Sequence, residues 1–377
     1  MKKSDRDSRK TRAALRLALF CGLLSAYCPL PTAYCLLAAE GGWRRQRTGT
    51  FAWLHAVHFI DGERGWAVGG KGALLQTTNG GRDWKLMPAP SEDTLRDVHF
   101  AEARTGWLVA ERDVYKLRTE DETRAYLLKT TDGGASWSRV EVVGGETNAR
   151  LVRVRFAGAD HGWVFGEEGA LFATADGGRT WARQRVPTRH LLLGGAFRDA
   201  RVGWLVGAGG TFLHTSDGGA TWRAAHLVAA SSVNAAAGTP PAQFAPTPTP
   251  APRVNAVSFI DERRGWAVGS NGSVFSTTNG GRSWSARSSV TDADLLDVKF
   301  FDEREGFAVG AGGVVLHTTD GGATWVLQPT DTTHQLEQLH FFDRGRGWAV
   351  GFGGTILTYD GATRTTRPRL REEARPR

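Results

Sequence analysis

Thr318-Thr319-Asp320-Gly321-Gly322-Ala323-Thr324-Trp325 is one copy of an eight-residue phrase that decides the fold. The other complete copies run from Thr77 to Trp84, Thr130 to Trp137, Thr174 to Trp181, Thr215 to Trp222 and Thr277 to Trp284. The order is always Ser/Thr, any residue, Asp/Asn, Gly, Gly, any residue, Ser/Thr/Asp, Trp. Asp or Asn before Gly-Gly is the chemistry of a tight hairpin turn. Glycine takes φ > 0 without steric cost, and the short polar side chain reaches backbone N–H groups across the turn. Asn79, Asp132, Asp176, Asp217, Asn279 and Asp320 are therefore expected to be structural turn residues. Each phrase closes on a Trp, whose apolar body is worth up to ~4 kcal/mol of gross burial and whose indole N–H needs a partner.

Ahead of each turn stands Gly-Trp-Ala-Val-Gly or a near variant, beginning at Gly65, Gly106, Gly162, Gly203, Gly265, Gly306 (Gly-Phe here) and Gly347. Where nothing is inserted the spacing is 41 residues. Before that phrase, apolar residues alternate toward an aromatic: Val57/Phe59, Val98/Phe100, Val154/Phe156, Val257/Phe259, Val298/Phe300 and Leu339/Phe341. A period of two is a strand, and four strands at a repeat of this length make a propeller blade. The chain is thus expected to be all-β, a seven-bladed β-propeller of four-stranded blades. The seventh turn, Tyr359-Asp360-Gly361-Ala362, lacks its second Gly and its Trp. Gly41-Gly42-Trp43 supplies a Trp in register with Trp84, so an N-terminal strand is expected to complete the last blade and remove the open sheet edges.

The ends have a different character. Residues 1–39 read as a signal peptide or an uncleaved anchor: a basic start from Lys2 to Arg16, a short apolar core from Leu17 to Ala26, and a small-residue exit at Leu37-Ala38-Ala39. An exported protein follows, periplasmic, lumenal or extracellular. All three cysteines, Cys21, Cys28 and Cys35, lie in that leader, which leaves no disulfide, thiolate metal site or Cys nucleophile in residues 40–360. The net charge of +8 also belongs to the ends. The leader carries +5 and the arginine-rich tail, 361–377, carries +4, so the propeller is close to neutral and lacks the electrostatic footprint of a nucleic-acid binder. Two insertions interrupt the repeat. One is charged, Glu111 to Arg124, and reads as a hairpin extension or a partner contact. The other, at about 226–252, contains Thr239-Pro240-Pro241 and Pro246 to Pro250 and reads as an extended loop; the tail is read as disordered.

The repeated turn resembles the Asp box of sialidases, xyloglucan hydrolases and sortilin-like receptors, a motif that implies a turn rather than an activity. A sialidase- or xyloglucanase-like glycoside hydrolase needs a Tyr nucleophile with an arginine cluster, or two carboxylates flanking the scissile bond. Outside the leader the only tyrosines are Tyr115, Tyr126 and Tyr359. Asp61, Asp261, Asp302 and Asp343 recur at one repeat position, which marks them as turn residues as well. No catalytic residue, cofactor or metal site is nominated. The histidines show no ligand spacing, and the Gly-Gly pairs follow turns instead of opening a helix.

One polar series remains. Between the apolar residue and the aromatic of each first strand stand His58, His99, Arg155, Ala196, Ser258, Lys299 and His340, with Arg96 and Arg153 nearby. Side chains converging on the propeller axis would attract an acidic peptide or anion. The competing reading is that they bond neighbouring carbonyls and Asp97 and Asp297.

With its leader, its Leu/Val-x-x-Val-x-Phe strands, its Gly-Trp-Ala-Val-Gly phrase and its Thr-Thr-Asp/Asn-Gly-Gly-x-x-Trp turns, the sequence resembles the photosystem II stability/assembly factor family over about Trp43 to Asp360. The resemblance implies a non-enzymatic lumenal propeller that holds newly made reaction-centre protein through an arginine-rich surface, matched here in part by Arg96, Arg153 and Arg155. The expected partner is a protein or peptide, plausibly of a membrane complex, and the expected state a monomer. A structural or adhesive surface module is the remaining alternative.

Overall fold

Each copy of the repeat becomes one sheet whose strands neighbour one another in chain order. In the first blade these are Leu54–Phe59, Gly65–Gly69, Leu74–Thr77 and Lys85–Leu86, all antiparallel. The computed structural model describes residues 42–117, 119, 123–140, 142, 149–228 and 251–361. The expected leader, most of the Pro-rich insertion (229–250) and the arginine-rich tail after Gly361 lie outside the described residues. Gly42–Asp360 forms one unit of seven blades. The innermost strand of each blade touches that of the next, and the seventh, Leu336–Asp343, touches the first, Leu54–Phe59, so the ring is closed. The N-terminal strand Gly42–Arg45 pairs antiparallel with Thr355–Asp360, placing Trp43 opposite Tyr359.

The core lies between blades and is mostly aromatic. The Trp of one blade's Gly-Trp phrase stacks face to face on the innermost-strand Phe of the next: Trp348 on Phe59, Trp66 on Phe100, Trp163 on Phe197, Trp204 on Phe259 and Trp266 on Phe300, with ring centroids 3.4–4.0 Å apart. The turn Trp then meets the same Phe edge-on, as Trp325 does Phe300 at 5.8 Å. Trp43 meets Phe341 at the same 5.8 Å and is 5% exposed, so it does for the seventh blade what a turn Trp does elsewhere.

The turn phrase is a closed hydrogen-bond circuit. Asp320 Oδ1 accepts from the Thr324 N–H at 2.8 Å and its Oδ2 from the Thr324 hydroxyl at 2.6 Å. Thr318 Oγ1 donates to Asp320 at 2.9 Å and accepts from the Gly322 N–H at 2.9 Å. Asn79 is the informative variant, because position 83 holds Asp. The Asn79 amide donates to Asp83 Oδ2 at 2.9 Å, where a carboxylate would repel it. The second glycine has two reasons to be there: Gly81 has φ +83°, and a Cβ on it would sit 2.7 Å from Trp348 Nε1.

Two details depart from the sequence expectation. The indole N–H that finds a partner is chiefly that of the Gly-Trp phrase rather than the turn. Trp204, Trp266 and Trp348 donate to the Gly280, Gly321 and Gly80 carbonyls of the next blade's turn at 2.8–3.0 Å. The start of the Pro-rich insertion is also not loop. His226–Val228 forms a fifth, parallel strand beside Ser283–Arg287 on the fifth blade, because that outer edge still offers unpaired backbone groups.

Candidate functional site

The innermost strand of a blade is paired on one edge only. Its other edge faces the axis, and those N–H and C=O groups need partners. Side chains of the preceding blade supply several. Gln338 accepts from the Val57 N–H at 2.8 Å, Asp97 from Val154 at 2.8 Å and Asp297 from Leu339 at 3.0 Å. One pleat further on, His99 Nε2 accepts from the Phe156 N–H at 3.3 Å and Ser258 from Phe300 at 3.0 Å. His58 and His340 bond the backbone of Phe100 and Phe59 in the same way. The polar series on the first strands therefore laces the blades together.

This changes the charge expected at the axis. His340, His58 and His99 do come together, on consecutive blades, with ring centroids 5.0 and 4.9 Å apart. They are not cations. Burial in the channel wall, reinforced by neighbouring positive groups, holds the pKa of His99 near 3 and those of His58 and His340 well below the ordinary 6.5. An imidazole nitrogen that accepts a backbone N–H must in any case be unprotonated. Arg155 is bonded to Asp97 at 2.6 Å, and Arg153 lies 3.5 Å from the same carboxylate. Lys299 stands in the channel, reached by solvent yet surrounded by the wall, and burial lowers its pKa. Arg155 is thus offset by Asp97 and Lys299 faces Asp297, and the channel of about 250 Å³ is not the basic funnel the sequence pattern suggests. On the fourth blade the channel is lined by Leu193, Gly194 and Gly195.

A second cluster of charge sits at one mouth. Each Asp/Asn-Gly-Gly turn bonds the turn between the first and second strands, as Gly80 N–H does Glu63 O at 2.8 Å, so both occupy one face. The innermost strands begin at the opposite face, and there Arg96, Arg150, Arg153 and Arg253 line a cavity of about 130 Å³ with Glu337, and Arg96 and Arg253 line another of about 510 Å³ with Asp294 and Glu337. Glu111, which opens the charged insertion and is 6% exposed, holds Arg96 at 2.5 Å and Arg124 at 2.7 Å. Arg124 and Arg150 share Glu167, each at 3.2 Å. Arg253 is exposed and has no ion pair among the described residues. His55 lies 3.5 Å from Arg96, and burial together with that arginine lowers its pKa to about 3. Of the sequence-nominated residues, Arg96 and Arg153 belong to this mouth, Arg153 and Arg155 reach the channel, and His58, His99, Lys299 and His340 line it. Arg150, Arg253, His55 and Trp53 went unnominated. Their signal is positional: Trp53, Arg150 and Arg253 each directly precede the first aliphatic residue of an innermost strand.

Nothing in this geometry prepares a carboxylate for proton transfer. The turn aspartates Asp217 and Asp320 are held near pKa 2 by their hydroxyl and backbone donors. Asp61, Asp261 and Asp302 accept the N–H groups of their own turns. Asp297 is raised by burial, but both its oxygens accept backbone N–H groups, from Val298 and Leu339. Among the described residues no group of three or more His, Cys, Asp or Glu is placed to hold a metal ion.

The model of the Photosynthesis system II assembly factor YCF48 family matches residues 82–189, 181–237, 247–332 and 292–360. The chain belongs to that family. Photosystem II assembly lipoprotein Ycf48 of Synechococcus sp. (strain CC9902) is 30% identical over 107 residues, 28% of this chain and 28% of the relative. The stability/assembly factor HCF136 of Oryza sativa is 26% identical over 126 residues, 32% of this chain. The chain thus spans less than a third of the length of the curated relatives it matches. Among solved structures, YCF48 from Cyanidioschyzon merolae superposes with a TM-score of 0.65 at 21% identity, covering 85% of this chain and 99% of that one. YCF48 bound to a D1 peptide gives 0.64 at 20%, covering 86% and 98%. The xyloglucanase of Xanthomonas campestris shares the fold at a TM-score of 0.60 and 14% identity, covering 84% of this chain and 53% of that one.

Proposed function

We propose that this protein is an exported, non-catalytic propeller that binds a polypeptide during assembly or stabilisation of a photosystem-type membrane complex, and that it does so at the arginine-lined mouth. The observation that carries the reading is the gathering of Arg96, Arg150, Arg153 and Arg253 around one opening of an otherwise nearly neutral propeller. Arg96, Arg150 and Arg153 are partly offset by Glu111, Glu167 and Asp97, so Arg253 is the cation left for an incoming carboxylate, whose orientation its guanidinium fork fixes. A related propeller has been solved with a D1 peptide bound, which supports a peptide as the ligand class. The turn aspartates, held low by their donors, and Asp297, with both oxygens taken by backbone N–H groups, argue against hydrolysis. Residues 1–39 direct export, and the closed ring suits a monomer.

Titration of a labelled D1 peptide against the full chain by fluorescence anisotropy tests the reading. Binding is expected to weaken steeply with salt and to drop about tenfold in Arg253→Ala, which breaks no ion pair of the fold. Absence of binding at low salt, or binding indifferent to both salt and Arg253, overturns it.

A further inference from the structure

The rim of the mouth breaks the repeat in a second way. At the position just before each innermost strand the blades carry Trp53, Thr94, Arg150, Leu191, Arg253, Asp294 and Gln335. At the position after the Gly-Trp-Ala-Val-Gly phrase they carry Gly70, Glu111, Glu167, Ala208, Ser270, Ala311 and Phe352. Trp53 and Phe352 are the single aromatic in each series, they come from neighbouring blades, and they touch edge to face at 5.4 Å. Both stay substantially open to solvent, 40% and 49% exposed.

The pair is built rather than loose. The Trp53 indole donates to Glu337 Oε1 at 2.8 Å, and Gln335 holds the same oxygen at 2.7 Å. The Trp53 carbonyl accepts from the Gly70 N–H at 2.9 Å. Phe352 packs edge-on against His334, which is itself bonded to the Thr355 hydroxyl at 2.8 Å. The loop ahead of Trp53 is clasped to the loop after Phe352, because Gly354 N–H donates to Ala52 O at 2.7 Å and Thr48 donates to Gly354 O at 2.8 Å.

Contact runs from this shelf straight into the cations. Trp53 lies 5.5 Å from the His55 ring, and His55 lies 3.5 Å from Arg96. Trp53, Arg96 and Arg253 line the same cavity of about 510 Å³. Basic and aromatic surface therefore meet within the span of roughly two to three residues of extended chain, at about 3.3 Å each.

We propose that Trp53 and Phe352 form a specificity shelf that takes an apolar side chain of the bound polypeptide, two or three residues from the carboxylate held by Arg96 and Arg253. The inference rests on the peptide-binding reading above and adds what the peptide must contain. The uncharged, unprotonated His55 between the two halves gives the ligand's backbone a surface without charge repulsion.

Two labelled synthetic peptides separate the halves. Both carry a carboxylate, and one has Leu and the other Ala three residues before it; each is titrated against the full chain and its variants. The Leu peptide is expected to bind the parent chain about tenfold more tightly. Phe352→Ala and Trp53→Ala are expected to remove that advantage while changing Ala-peptide affinity less than about twofold, and Trp53→Phe to keep most of it. Arg253→Ala is expected to weaken both peptides alike. Equal affinity of the two peptides for the parent chain, or shelf variants that weaken both equally, overturns the shelf and leaves the arginine mouth standing. Failure of both peptides to bind the parent chain overturns the peptide-binding reading and the shelf with it. Co-sedimentation with vesicles of anionic lipid that is lost in Trp53→Ala and Phe352→Ala, with no Leu preference in solution, assigns the shelf to a membrane surface instead and also overturns the proposal.

Discussion

The two faces of the propeller are built on opposite plans. On one, the Asp/Asn-Gly-Gly turns repeat the same circuit six times, and the Thr hydroxyl and the Asp or Asn side chain are spent on their own turn, as Asp320 is on Thr318 and Thr324. On the other, the residues that begin the innermost strands differ from blade to blade, from Trp53 to Arg150 to Asp294, and the charges are incompletely paired. Repetition is what a ring needs to close, since each interface must present the same shape to the next. Departure from repetition marks surface released from that duty.

The sharpest way to break the comparison is to remove a member of the repeated set. Trp43→Ala is expected to lower stability most, by about 3–5 kcal/mol, because it empties an aromatic interface and loosens the strand that closes the ring. Trp325→Ala empties an equivalent interface without threatening closure and is expected to cost somewhat less. Thermal melting of the two variants side by side checks the order; an equal or reversed ranking would mean that Trp43 is only one interface among seven.

Acid should act next, and in two stages. His55, His58, His99 and His340 fold unprotonated, with pKa values near 3 for His55 and His99 and well below 6.5 for His58 and His340, so the unfolded chain binds more protons once the pH is under 6.5. Stability is therefore full above pH 6.5 and lost as pH falls toward 3, with a limiting slope of about 1.4 kcal/mol per pH unit for each histidine. The turn aspartates, with depressed pKa values, contribute stability that is present above about pH 4 and lost toward pH 2. A melting temperature flat from pH 7 to pH 5 would show that the histidine lacing is not formed.

Within the turns, Asn79→Asp and Asn279→Asp test the circuit at smaller amplitude. The first faces Asp83 with a second carboxylate and is expected to cost about 1 kcal/mol at pH 7, relieved below pH 4. The second faces the Ser283 hydroxyl, which donates as readily to a carboxylate, and is expected to be neutral. On the variable face the effect on folding should be smallest. Arg253→Ala and Phe352→Ala are expected to change stability by no more than about 0.5 kcal/mol while altering binding. A large loss of stability from either would make that face part of the frame.

The fold was legible in the residues because its determinants are local and recur: a turn that needs Gly at positive φ, apolar residues alternating toward an aromatic, and a period of 41 that even located Trp43 as the missing piece. The candidate site was half legible. Arg96, Arg153 and the three channel histidines stood out as a series along the strands, but the series gave no hint that the histidines serve backbone N–H groups of the adjacent blade, because that edge exists only once the ring has closed. Arg150, Arg253 and Trp53 sit in connections of different composition, and only the convergence of seven strand beginnings on one opening brings them to adjoining cavities, with Phe352 packed against Trp53. The sequence by itself determined the module and how many times it is used. Closing those modules around an axis decided which polar groups are consumed by the frame and which are left to bind, because backbone satisfaction and charge pairing are settled between blades rather than within them.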